Sequence, residues 1–315
     1  MKRLIQQLFI IYLVTILVGF QAFGIAQEKE LKGTITLSGA WAIYPTAVAW
    51  GEAFQKQHPG VRVDVSAGGA GKGAADAIFG LVDIGMVSRD PDPAEIKKGI
   101  MPVYILHDAV YPVVNEKNPV LVDLLKKGVK KQVWNDIYIT GFAKTWGDVV
   151  GRKETKSIHV FTRSDACGAG ASWASYLGKK QEDLRGVGIY GDPGLLETVK
   201  RDPIGLGFNN FSYVFTREGT VVQGVKLVPI DSNGNGIADA DEIYTTRDEA
   251  IKSIRAGRYP ATRKNYFFVK GKPKGLVKGF IAFALSDEGA KIVDEVGTSL
   301  SITKTEREKI LKSIE

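Results

Sequence analysis

The chain is poor in the residues that most often carry covalent or metal chemistry. Its 315 residues include one cysteine, Cys167, and three histidines, His58, His107 and His159. A lone cysteine excludes an internal disulfide, and so few Cys and His residues leave no zinc-type spacing. The sequence also lacks a P-loop, a dinucleotide fingerprint and a Gly-x-Ser-x-Gly elbow. Lysine and arginine are scattered despite a net charge of +7, with no basic-aromatic interleaving, which argues against a nucleic-acid partner. After residue 26 no apolar run is long enough to cross a bilayer.

The amino end is distinctive. Lys2 and Arg3 precede an apolar run over residues 8–23 that only Thr15 and Gln21 interrupt, and Gly24-Ile25-Ala26 closes it with small residues. Residues 1–26 therefore read as a cleavable export signal, with an uncleaved anchor as the alternative. No cysteine stands near its end, so no lipid is attached there. The expected location is periplasmic or secreted. An exported chain without disulfides must be held by its core, which this length permits.

Strand-like alternation over residues 31–38 is followed by helical spacing over 46–57, which His58-Pro59-Gly60 stops. A strand over 61–65, a glycine-rich loop, a helix over 74–80 and a short strand over 83–87 repeat the alternation. Such order implies an α/β sheet with ligands at the carboxyl ends of its strands. Three turns occupy those ends, over 40–44, 68–73 and 88–90. Strands over 110–115 and 266–269 leave and re-enter this first unit. The expected organisation is one lobe from 27–115 with 265–315 and a second from 116–264.

The second unit holds the run Phe161-Thr162-Arg163-Ser164-Asp165-Ala166-Cys167-Gly168-Ala169-Gly170-Ala171. It reads as a strand, a charged turn and a helix opening on small residues. First-turn amides have no helical acceptor and favour an anion, and Arg163, braced by Asp165, adds a positive fork. The plain alternative is a Gly/Ala-rich helix start beside a surface ion pair, which binds nothing.

These motifs, in this order, resemble the periplasmic phosphate-binding proteins of ABC transporters. Ser38-Gly39-Ala40-Trp41-Ala42-Ile43-Tyr44-Pro45 is similar to that family's first ligand turn, and 68–73 to its second. Asp83-Ile84-Gly85-Met86-Val87-Ser88-Arg89 is similar to a segment of one subgroup. Arg163 to Ala169 is similar to its Arg-x-Asp-x-Ser-Gly-Thr signature. Tyr259-Pro260, Lys272-Pro273, Gly275-Leu276-Val277 and Leu285-Ser286-Asp287-Glu288-Gly289 resemble its last crossing and helix.

The resemblance implies an α/β, two-lobed periplasmic-binding-protein fold of type II. Each lobe would be a mixed sheet flanked by helices, with the ligand cleft between lobes. It implies capture of a small oxyanion, phosphate or a related anion, for the membrane subunits of an ABC transporter, by a monomer. The residues it brings to the ligand are Ala42, Ile43, Tyr44, Gly69, Ala70, Ser88, Arg89, Arg163, Asp165, Cys167, Gly168 and Ala169. Ile43 stands where the family has Thr, Ala70 where it has Ser, Cys167 where it has Ser and Ala169 where it has Thr. With those hydroxyls missing, Arg163, Ser88, Arg89 and main-chain amides remain as donors. Arg163→Ala is expected to lose anion binding with the fold intact.

A second motif is independent of the first. Asp231-Ser232-Asn233-Gly234-Asn235-Gly236-Ile237-Ala238-Asp239-Ala240-Asp241-Glu242 matches a calcium loop along its length. Asp231, Asn233, Asn235, the Ile237 carbonyl, Asp239 and a bidentate Glu242 form an oxygen set suited to structural Ca²⁺. A metal-free Asn-Gly turn is the alternative. Two other functions stay open: a thiol-dependent enzyme using Cys167, whose pKa a helix start and Arg163 would lower, and a receptor that signals without transport.

Overall fold

The computed structural model describes residues 31–315. The expected export signal at 1–26 lies outside the described residues. Alternation produces β1, Gly33–Gly39, whose inward positions Ile35 and Leu37 are buried. Pro45 opens α1, Tyr44–Gln57, which sets Ala47, Trp50 and Phe54 on one buried face. β2, Val61–Ala67, pairs parallel with β1. α2, Ala70–Phe79, ends at Gly80, whose φ of 68° is left-handed, and β3, Ile84–Val87, is buried at each position.

At Gly39 and Gly73 the backbones of β1, α2 and β3 touch. A Cβ on either would collide with the Met86 carbonyl. Only glycine lets the start of α2 come this close to the sheet. The short α3, Pro93–Lys97, is opened by a capping box between Asp92 and Glu95.

β4, Ile100–Asn115, is long enough to serve two cores. Ile100 to Leu106 includes residues that pack with Trp50, Phe54, Phe267 and Phe280. From Ala109 onward its buried residues pack with Trp134, Tyr138, Trp173 and Phe208. The second core holds β5, His159–Arg163; α4, Gly168–Tyr176; β6, Val187–Ile189; α5, Asp192–Arg201; β7, Gly205–Asn210; β8, Val225–Leu227; and α6, Arg247–Arg255. β8 ends at Leu227, and Ile230–Asp231 pairs separately with Val129–Lys130.

β9, Thr262–Lys270, returns antiparallel to β4, with a register shift at Asn265/Tyr266. β10, Leu300–Ser301, also pairs with β4, and α7, Lys304–Ile314, closes the described chain. The sheet order is β2-β1-β3-β9-β4-β7-β5-β6, so β4 and β9 join the two halves. The fold is therefore a two-lobed mixed α/β structure. The cores rest on aromatic packing: Trp173 meets Trp134 edge-on at 5.3 Å, and Trp50 meets Phe267 at 5.9 Å. Each such fully buried side chain is worth about 2–3 kcal/mol.

Candidate anion-binding site

The starts of α2 and α4 come from different lobes and meet across the cleft. Gly71 N–H donates to the Ala166 carbonyl at 2.9 Å. A Cβ on Gly69 would fall 2.7 Å from Asp165 Oδ2, and one on Gly71 2.6 Å from Ala166 Cβ. Ser88, 2 % exposed, lies so close to Gly168 that no side chain fits there. The first-turn amides of Ala70, Gly168 and Ala169 have no acceptor within their own helices. Two positive helix ends thus share one small region.

Arg163 lies behind it. Its side chain is fully buried. Nε and Nη2 grip Asp165 at 2.8 and 2.6 Å, and Nη1 reaches Asp192 at 2.6 Å. Burial works against the charge of Arg163, but Asp192, Cys167 and Asp165 outweigh it and hold the pKa above its usual value. One guanidinium cannot neutralise two carboxylates. The surplus falls on Asp192, 1 % exposed, whose pKa burial raises despite Arg163. Its Oδ1 has no hydrogen-bond partner among the described residues. Asp192 was absent from the sequence-derived set because it lies 29 residues from Arg163. The sequence signal is the opening of α5, with Gly191 as N-cap and Asp192 in the first turn.

The remaining expected residues are distributed unevenly. Ala42 and Ile43 are 0 % exposed, and Ile43 belongs to the first core. Ile43 N–H bonds the Ala40 carbonyl, and Tyr44 N–H bonds those of Ala40 and Trp41, so these two amides are spent within the turn. Arg89 points to α3 instead of the helix starts. It forks onto Glu95 at 3.0 and 2.6 Å and donates to the Asp90 carbonyl. Trp41, part of the quoted motif but not of the expected ligand set, bridges the lobes. Tyr213 Oη donates to its carbonyl at 3.2 Å, and its ring meets Tyr190 edge-on at 6.1 Å.

Cys167 corrects one inference from the sequence. Its thiol caps α4, with Sγ accepting from Gly170 N–H at 3.2 Å. Burial pushes its pKa up to about 12, and Arg163 lowers it too little to compensate. Near pH 8 the thiolate is then a fraction on the order of one in ten thousand. Iodoacetamide at pH 8 is expected to leave Cys167 unmodified in the native protein and to label it once urea unfolds the chain. Fast native labelling, followed by mass spectrometry, would contradict this placement.

The carboxylates of the 231–242 loop accept from backbone N–H groups of the loop itself. Asp231 Oδ1 accepts from the amides of Gly234 and Asn235, and Oδ2 from that of Gly236. Glu242 accepts from Ser232 and Asp239 amides with its two oxygens, at 2.7 and 3.2 Å. Asn233 and Asn235 both donate Nδ2 to Asp239. Gly234 and Gly236 adopt φ of 76° and 81°. Among the described residues no group of three or more His, Cys, Asp or Glu side chains is arranged to hold a metal by itself. The loop's donors would be a mixture of carboxylates, amides and a carbonyl.

A family model described as a PBP superfamily domain matches residues 24–288. The phosphate-binding protein PstS of Bacillus subtilis is 27% identical over 284 residues, covering 88% of this chain and 85% of that protein. Protein SphX of Synechococcus elongatus is 26% identical over 296 residues, covering 87% of this chain and 80% of its own length. The crystal structure of a Clostridium perfringens phosphate ABC transporter substrate-binding protein with bound phosphate superposes with a TM-score of 0.71. It has 24% identity and covers 86% of this chain and 100% of that one. An ABC-type phosphate transport receptor from Vibrio cholerae gives a TM-score of 0.64 at 22% identity, over 85% of this chain and 100% of that one. At these identities the structural matches concern the fold.

Proposed function

The chain belongs to the PBP superfamily, and from that premise we propose an extracytoplasmic receptor that captures a small oxyanion between its lobes for the membrane subunits of an ABC transporter. The carrying observation is the meeting of two helix starts from opposite lobes, in front of a buried arginine. An anion there touches both lobes and favours their closure, since ligands stabilise the state they contact most. The relatives named as phosphate-binding proteins support the same ligand class. We place the hinge where β4 and β9 pass between the cores, the signal peptide at 1–26, and the working form as a monomer in the periplasm or outside the cell. The thiol-enzyme alternative is disfavoured by the burial and raised pKa of Cys167.

Thermal shift with phosphate, arsenate, sulfate, molybdate, tungstate and small organic acids tests the reading. Saturation at about 100 times Kd adds about 2.7 kcal/mol. Phosphate or arsenate is expected to raise the melting point, and a flat response to the whole panel would overturn the assignment.

The 231–242 loop is proposed to bind structural Ca²⁺. Asp231 and Glu242 are buried, at 2 % and 7 % exposure, with backbone N–H groups as their hydrogen-bond partners. The donors fit a hard cation once the Asn233 and Asn235 amides rotate their oxygens inward. Melting in millimolar calcium is expected about 5–10 °C above melting in chelator. Superimposable curves would remove the metal from the loop.

A further inference from the structure

We propose a second anion site on the hinge, on the face opposite the cleft, that takes a small organic polyanion and couples to lobe closure. Its place follows from β4, whose register shifts opposite Asn265/Tyr266 so that Tyr104 and His107 line one cavity. On β4, Asp108 faces inward. It pairs with Arg263, which in turn reaches Ser172 of α4 in the cleft. Its neighbour His107 faces the other way and lines a cavity of about 440 Å³. The cavity walls come from both cores. Ile254 and Leu300 pack in the second, and Ile302 in the first.

The lining chemistry is cationic. Arg255 on α6 comes from one side and Lys304 on α7 from the other, while Arg307 is spent on the Leu285 and Ile302 carbonyls and on Asp287. Arg255 has no ion pair among the described residues. Lys304 holds Asp287 only at 3.4 Å. The cavity's one carboxylate, Glu306, is occupied in capping α7, where Oε2 accepts from Thr303 N–H and Oγ1 at 2.9 and 2.7 Å. His107 Nε2 is buried and finds no partner among the described residues. The volume exceeds that of a monatomic or tetrahedral ion and lies in the range of small-metabolite sites.

Coupling follows from hinge mechanics. Rotation about β4 and β9 that opens the cleft carries α6 toward α7 and narrows this cavity. An anion that fills the cavity opposes that narrowing and therefore favours the closed arrangement. Linkage then requires that it tighten the cleft ligand by the same factor. Only this coupling rests on the proposed function; binding at the hinge does not.

Calorimetry on the full chain tests both, with citrate as the probe. Citrate is expected to bind, with or without saturating phosphate, and to lose tenfold or more in affinity in the Arg255→Ala/Lys304→Ala variant. Both side chains are exposed, so the fold is retained. Citrate is also expected to lower the apparent Kd of phosphate about fivefold in the native protein and not in the variant. Absence of citrate binding, or equal binding in the variant, overturns the site. Citrate binding with no change in phosphate affinity overturns the coupling. If no oxyanion of the thermal-shift panel binds, the proposed function falls while the citrate comparison still decides the hinge site.

Discussion

Arg163→Ala is expected to destabilise the second lobe by about 3–5 kcal/mol as well as to abolish anion capture. The expectation of an intact fold, drawn from the sequence, assumed an arginine at the cleft surface. In the structure its side chain is fully buried and is the ion-pair partner of both Asp165 and Asp192. Removing it strands two buried carboxylates, which costs far more than a lost surface pair. In a lobe of this size the melting point is expected to drop about 10 °C or more. Adding Asp165→Asn and Asp192→Asn to the alanine variant is expected to recover most of that loss without restoring anion binding. Urea titration of the single and combined variants reads both effects. A single variant as stable as the native protein would show that Arg163 does not hold the lobe together.

The second large effect concerns which anion is chosen. Asp192 offers a buried carboxylate oxygen without a partner, beside the guanidinium an oxyanion would approach. An acceptor there is satisfied by an oxyanion that still carries a proton and repels one that carries none. Phosphate and arsenate keep a proton near neutral pH; sulfate and tungstate do not. Asp192→Asn replaces the lone acceptor with a group that can donate. The variant is expected to gain sulfate or tungstate affinity and to lose phosphate affinity, each by about tenfold to a hundredfold, corresponding to roughly 1–3 kcal/mol for a buried polar group matched or mismatched. Competition calorimetry measures the ratio, and an unchanged preference would exclude Asp192 from the choice.

Much of this architecture was legible because its signals are local. The alternation of β1 and β2, the proline that opens α1 and the glycines before α2 each act within a few residues. Arg163 and Asp165 were legible as partners because they stand two apart on one turn. What escaped required the chain to fold back on itself. Asp192 reaches Arg163 only after β6 returns beside β5, and Trp41 meets Tyr190 and Tyr213 only across the cleft. Ile43 sits in a turn that the sequence could locate, but whether its amide was spent within that turn could not be read. For Cys167 the sequence displayed the two influences that lower a thiol pKa and concealed the burial that outweighs them.

β4 has a consequence for how this molecule can vary. One strand threads both cores, and near position 107 its neighbours face opposite ways, Asp108 to Arg263 and His107 to the hinge cavity. Deleting a single residue near position 107 would not merely loosen the joint. It would turn the acid now gripping Arg263 outward and rotate an imidazole into its place, reversing the joint's polarity from inside to outside. Changes of length there are tolerable only where an irregularity, such as the one at Asn265/Tyr266, can absorb the slip.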